Sequence, residues 1–330
     1  MKKILVTGIT GFVGSHLAEL YLGRRPDSPK QTGEVWGLMR RRGQRDLIRH
    51  LESDLHLEEG DVTDAHSMER LIAEIQPDVV HHLAAQSFVP LSWTAPSETL
   101  QANLMGSLNL LEAVRRHRPQ AVVQVASSSE IYGQQEELPV TERHLPNPLS
   151  PYAVSKLAMD RLAAQYARSY GLSIMVTRAF NHTGPRRGVS FATSNFARQI
   201  IEIERGEREP VIWVGNLEAG RDWSDARDIV RAYALAVQKC PPGEPFNIAS
   251  GVCRQVGEVL QQLLTLSGVR AEIRKDPKRQ RPSDVPALRG DSQQFRKKTG
   301  WIPEIPWERT MRDLLDYWRM TLNGKTWVPS

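Results

Sequence analysis

The sequence predicts an α/β protein, a Rossmann-type doubly wound parallel sheet with a smaller C-terminal lobe. Three observations lead there. Short apolar runs alternate with amphipathic stretches through the first half of the chain. A glycine-spaced turn, Gly8-Ile9-Thr10-Gly11-Phe12-Val13-Gly14, joins the first apolar run to the first amphipathic one. Proline, glycine and arginine then break up the second half, as in a lobe built from returning segments rather than a tethered domain.

The elements follow in order. Residues 2–7 read as a strand, 13–24 as a helix, 35–39 as a second strand and 55–57 as a weak third. Residues 68–75 have helical spacing, 79–83 form a fourth strand, 96–116 one long helix and 121–126 a fifth strand. Residues 152–170 are helical and 173–177 a sixth strand. Strands separated by helices mean right-handed βαβ crossovers, hence a parallel sheet covered on both faces. Beyond residue 184 the readable elements are helices at 230–238, 256–266 and 310–320 and a strand at 245–248. Domain boundaries follow from this. Residues 1–182, with a returning segment at about 224–250, form the cofactor sheet. Residues from about 183 to 223 and from 251 to 330 form the substrate-binding lobe.

Composition narrows the function class. The chain has 330 residues, 40% hydrophobic and 25% charged, the balance of a globular protein. At this length roughly three quarters of the unfolded surface can be buried, so no disulfide or metal staple is needed. The two cysteines, Cys240 and Cys253, form neither a close pair nor a ligand cluster, so no metal site is expected and a reducing cytoplasm is the natural setting. The net charge of +5 is spread along the chain except at Arg40-Arg41-Arg42, which argues against a nucleic-acid partner. No apolar run is long enough to span a membrane.

The glycine turn is a phosphate loop. One glycine turns the chain, another lets backbone approach a pyrophosphate, and the last allows close helix–strand packing. The helix then offers unpaired N–H groups to the anion. Gly8, Thr10, Gly11, Phe12 and Val13 are therefore cofactor candidates. The end of the second strand lacks the acid that usually holds an NAD ribose and carries Arg40 instead, so NADP is expected rather than NAD. Asp61 and Val62 are placed to meet the adenine. Leu83, Ala84 and Ala85, after the fourth strand, would line the cofactor.

The reacting centre is expected on the fifth strand and the following helix. Tyr152 and Lys156 are spaced i, i+4, so they share a helix face. A nearby ammonium would lower the phenol pKa and make Tyr152 a usable acid/base. Lys156 can also reach the nicotinamide ribose. Ser128, Ser129 and Glu130 follow the fifth strand at the carboxyl edge of the sheet, where ligands bind. Ser128 would hold a substrate hydroxyl beside Tyr152, and Glu130 would remove a proton alpha to a ketone.

With these residues in place, the chain resembles the extended short-chain dehydrogenase/reductase family, which modifies nucleotide sugars. The resemblance covers essentially the whole chain. Ala84-Ala85-Gln86-Ser87, Ser127-Ser128-Ser129-Glu130-Ile131-Tyr132-Gly133, Pro185-Arg186-Arg187-Gly188 and Gly220-Arg221-Asp222-Trp223 are similar to the GDP-mannose 4,6-dehydratase branch. Asn181-His182-Thr183-Gly184-Pro185 and Arg281-Pro282-Ser283-Asp284 are at least as similar to the related GDP-4-keto-6-deoxy-mannose reductases. Two stretches depart from the dehydratase pattern: Phe12-Val13-Gly14-Ser15 replaces Gln-Asp-Gly-Ser, and Thr183-Gly184-Pro185 replaces Glu-Ser-Pro. The resemblance implies a GDP-hexose substrate, held by Gln86, Asn181, His182, Arg221 and Arg281, with Asn195 and Arg198 on a helix roofing the nucleotide. It implies a GDP-mannose 4,6-dehydratase, in which Ser129 helps water leave. The alternatives are an NADPH-dependent 4-reductase, a bifunctional enzyme or another nucleotide-sugar epimerase or dehydratase. It also implies a homodimer, or a tetramer, paired through helices 96–116 and 152–170.

Overall fold

The computed structural model describes residues 2–25, 33–279 and 285–327. A seven-stranded parallel sheet forms its centre. In chain order its first six strands are β1 (Lys2–Thr7), β2 (Gly33–Met39), β3 (His56–Glu59), β4 (Val79–His82), β5 (Val122–Ala126) and β6 (Ser173–Ala179). The helices between them are α1 (Phe12–Tyr21), α2 (Ala65–Ile75), α3 (Val89–Thr94), α4 (Pro96–Leu100), α5 (Gly106–His117) and α6 (Pro151–Tyr170). The lobe begins with β7 (Asn181–Thr183), α7 (Ala192–Glu204), β8 (Val211–Val214) and β9 (Gly220–Asp225). Helix α8 (Ala226–Lys239) and β10 (Pro245–Ile248) return to the sheet, and β11 (Cys253–Gln255), α9 (Val256–Ser267), β12 (Glu272–Lys275), β13 (Ala287–Leu288), α10 (Gln293–Thr299) and α11 (Trp307–Leu322) complete the chain.

Strand order is β10-β6-β5-β4-β1-β2-β3, every pair parallel. The order reverses at β1, so the loops after β1 and β4 diverge and open a crevice at the carboxyl ends of the strands. Alternate residues of β1 face opposite layers, as a period of two requires. Ile4 and Val6 pack with Leu17 and Leu20 of α1 and Val230 of α8. Leu5 faces the other way, into Met68 and Ile72 of α2, Leu110 of α5 and Met159 of α6. The lobe has its own apolar centre, where Phe196 and Ile200 of α7, Leu260 and Leu263 of α9 and Leu314 and Trp318 of α11 meet.

The structure corrects three parts of the element reading. Residues 96–116 are not one uniform helix: α4 and α5 are joined by a π-turn, Gln101–Met105, and α3 precedes them. The wide turn carries buried Asn103, whose amide bridges the Gln86 backbone and Ser155 Oγ (2.8–3.0 Å); side-chain insertion of this kind distorts the i→i−4 ladder. The second half is also richer than its sequence pattern. Short strands β7, β9, β11 and β13 form a small sheet around β9, and β8 pairs β12. Their hydropathy hides them: β9 buries Arg221, Asp222, Ser224 and Asp225 along its length, whereas β12 is exposed throughout. Finally, α10 lies where the sequence offers no readable element, and its Phe295 packs on Phe246 of β10 and on Trp301.

Among the described residues no helix is long and apolar enough to cross a membrane, and no cluster of three or more His, Cys, Asp or Glu is placed to hold a metal ion.

Candidate active site

The phosphate loop is built as its glycines require. Gly8 has φ +74°, and a Cβ there would lie 2.9 Å from the Ala84 backbone nitrogen. A Cβ on Gly14 would stand 2.3 Å from the Gly8 carbonyl oxygen. Gly11 is the N-cap of α1 and contributes no side-chain cap, which leaves the first-turn N–H groups open to an anion. Thr10, Phe12 and Val13 complete the turn, half-buried. The cradle therefore fits a dinucleotide pyrophosphate.

The other cofactor candidates divide. Arg40 is exposed just beyond β2, free to reach outward. Asp61 Oδ1 already accepts from the Thr63 backbone N–H and hydroxyl at 2.9 and 2.8 Å. Val62 is buried, with a methyl that would lie 2.7 Å from a Cβ on Gly106, so it belongs to the core as much as to the crevice. Leu83 and Ala84 follow β4 with their N–H groups donated to Thr7 Oγ1 at 3.2 Å, and Ala85 continues that half-buried segment beside the glycine turn.

A cleft of about 580 Å³ opens beside this loop. Ser128, Ser129, Glu130 and Tyr152 line it together with Asn181, His182, Arg187, Phe191 and Asn195. Helix α6 is fixed at its start, where Ser150 Oγ accepts from the Ala153 N–H and Pro151 occupies the first turn. That cap aims Tyr152 into the cleft and Lys156 beneath it. Ser128 caps the following 3₁₀ turn, its Oγ accepting from the Glu130 N–H at 3.2 Å, and it lines the cleft together with Tyr152.

Burial dominates the electrostatics. It pushes the Tyr152 phenol up to about 12, against the downward pull of the Ser128 hydroxyl and Arg187, while Glu130 adds to the rise. The expected lowering by Lys156 is therefore corrected. The ammonium donates to the Ala126 carbonyl at 2.9 Å and sits 5.9 Å from the Tyr152 ring, and burial brings Lys156 itself down to about 8. Burial likewise lowers His182 to about 4, so it is neutral, with Nδ1–H donating to the Phe180 carbonyl at 2.9 Å. Its ring stacks on Phe12 of the phosphate loop at 6.0 Å.

Several substrate expectations need correction. Gln86 does not line the cleft. Its amide nitrogen donates to the Phe88 carbonyl and Thr99 Oγ1, and its oxygen accepts from the Phe88 N–H, so Ser87 and Phe88 face the cleft instead. Arg198 does not line it either, because it pairs with Glu202 at 2.7 Å and stacks on Trp318. Asn195 reaches the cleft but accepts from Gln199 and Arg279. Arg221 lines it with one guanidinium nitrogen held by the Gly220 and Val285 carbonyls. Arg281 lies outside the described residues.

Arg187 is the residue the sequence reading passed over. Its guanidinium lies 3.3 Å from the Phe191 ring centroid and 5.0 Å from that of Phe12. Among the described residues it has no ion-pair partner, and desolvation lowers its pKa to about 9. A half-buried cation held between two rings in a cleft is suited to an anion. The available signal was the Arg186-Arg187 doublet just past the sixth strand, in the crevice.

Comparison with known proteins places this arrangement. The family profile described as GDP-mannose 4,6 dehydratase matches residues 5–314. The chain belongs to that family. It is 35% identical to the GDP-6-deoxy-D-mannose reductase of Pseudomonas aeruginosa over 320 residues, 96% of this chain and 97% of that protein. It is equally 35% identical to the GDP-mannose 4,6-dehydratase of Yersinia enterocolitica, with 96% and 93% covered. Among solved structures, RMD from Pseudomonas aeruginosa complexed with NADPH superposes with a TM-score of 0.82 at 32% identity, covering 96% of this chain and 99% of that one.

Proposed function

We propose that the protein is a GDP-mannose 4,6-dehydratase that holds NADP in its phosphate loop. The observation that carries this reading is Glu130, a half-buried carboxylate in the same cleft as Tyr152 and close enough to raise its pKa. Ketone reduction needs a proton donor and a hydride but no second base; elimination across C5 and C6 needs that base. When bound, NADP supplies the hydride acceptor for C4 and returns the hydride to C6. Tyr152 in its phenolate form takes the C4 hydroxyl proton while Ser128 holds that oxygen. Once C4 is a ketone, the C5 proton is acidic and Glu130 removes it. The C6 hydroxyl leaves as water with a proton from Ser129, and as C6 takes the hydride the protonated Glu130 returns a proton to C5. Arg187 and Arg221 offer cations to phosphate groups, with Arg281 as a further candidate. NADP rather than NAD is favoured by Arg40 after β2 and by the NADPH in the similar reductase structure.

Incubation with GDP-mannose and catalytic NADP in deuterium oxide tests this. The expected product is a 4-keto-6-deoxy sugar carrying deuterium at C5; no product, or product without that label, overturns it.

A second reading is the NADPH-dependent 4-reductase. It is favoured by the reductase relative and by a phenol that is protonated at neutral pH, the form that donates to a ketone. Glu130→Gln separates the two: dehydration collapses by about 10²–10⁴-fold, whereas reduction survives.

The assembly proposed is a homodimer through α3–α6, where Leu91, Trp93, Leu100, Met105 and Val154 leave large apolar side chains exposed. The two free cysteines fit a reducing cytoplasm.

A further inference from the structure

Behind the phosphate loop lies a buried charged cluster that the proposed chemistry does not use. We infer that Glu19 and Arg186 are a positioning pair: they lock the loop before α7 onto the phosphate-loop helix and so fix where Arg187 enters the cleft.

Helix α1 starts at the phosphate loop and presents Ser15, His16 and Glu19 on one face, all buried. This face grips two successive residues of the loop. His16 Nε2–H donates to the Pro185 carbonyl at 3.0 Å. The Glu19 carboxylate takes the Arg186 guanidinium, which also reaches Ser15 Oγ at 3.5 Å. His50, from the turn between β2 and β3, donates to the same carboxylate at 2.7 Å, and the Trp327 ring covers the guanidinium at 5.6 Å. Burial alone would raise the Glu19 pKa; nearby His16 (3.6 Å), the hydrogen bond from His50 and the charge of Arg186 hold it far below the carboxylate range instead.

The backbone gives the second argument. Arg186 has φ +71°, and Gln76, which ends α2, is the one other non-glycine residue among those described with a left-handed φ. Gly184 and Gly188 flank it, so a glycine at 186 would serve the turn alone. An arginine stands there with its side chain anchored in α1, and the next residue meets Phe12 and Phe191. A buried ion pair is weak evidence for stability, and its better attested use is to specify one arrangement among several. Here the arrangement is the register of Arg187 against the loop that meets the cofactor.

The inference rests on reading that loop as a dinucleotide site. NADPH and NADH binding, followed by nucleotide fluorescence, test it in a double-mutant cycle with thermal unfolding recorded alongside. Arg186→Gly, which relaxes the turn but removes the anchor, is expected to weaken binding about tenfold when Arg187 is present. In an Arg187→Ala background the same change costs less than about twofold. Glu19→Gln repeats the pattern, and Arg186→Lys restores part of the affinity, so the outcome does not depend on one variant folding. Equal losses in both backgrounds, or a lower melting temperature with unchanged binding, overturn the positioning role and leave the function standing. Wild-type protein that binds neither nucleotide overturns both.

Discussion

At neutral pH the phenol of Tyr152 carries its proton, because burial in the cleft outweighs the pull of the Ser128 hydroxyl. That hydroxyl draws the pKa down, so Ser128→Ala should drive it higher still. A rate that needs the phenolate would then rise at higher pH than in the wild type, and turnover near pH 8 should fall by about 10²-fold. A pH–rate profile of the two proteins measures both effects; an unshifted alkaline limb would detach Ser128 from Tyr152. Residue types in sequence order placed Tyr152, Lys156, Ser128 and Glu130 at the crevice because each sits at a strand end or on a helix face whose direction the pattern already set. They put Gln86 at the substrate, whereas its amide is engaged by Phe88 and Thr99 within its own loop. They passed over Arg187 because its neighbour Arg186 is chemically identical, and a left-handed turn decides which of the two faces inward.

Strand β4 shows what an element adds. His81 and His82 are both fully enclosed, His81 between Tyr21 and Gln124 and His82 between Thr7 and Ser107. Burial lowers them to about 4 and about 3, below the ordinary 6.5. The unfolded chain therefore binds more protons than the folded one at mildly acidic pH. Stability should be full above pH 6.5 and decline as the pH falls toward 4, by up to about 1.4 kcal/mol per pH unit for each histidine. Urea titrations at pH 7, 6 and 5 check this, and a midpoint that does not move would contradict it. Strand β9 predicts something different. Its Asp222 accepts from the Ser250 N–H and hydroxyl and from the Gly251 and Gly290 N–H groups. Asp222→Ala leaves those donors buried and should cost about 3 kcal/mol in urea unfolding. These elements mark where the sequence pattern fails. The central strands were legible because their apolar residues are buried on both faces, whereas β9 is buried by hydrogen bonding and β12 is not buried at all, so neither carries a hydropathy signature.

At the scale of the molecule, the exposed apolar side chains of α3–α6 make a testable surface. Leu100→Asp with Met105→Asp should convert the proposed dimer to a monomer in light scattering with the α/β circular dichroism retained; a wild type that is already monomeric rules the dimer out. The chain path has its own consequence. Strand β10 completes the central sheet beside β6, yet α7, β8, β9 and α8 are all made in between. During synthesis the β6 edge therefore emerges with an unsatisfied row of N–H and C=O groups, and it stays open until residue 248 has left the ribosome. Open edges of this kind recruit other chains. The lobe that closes the cleft in the finished protein thus sets a delay in its birth, and slow translation of residues 180–245 is the interval in which this fold is most exposed to aggregation.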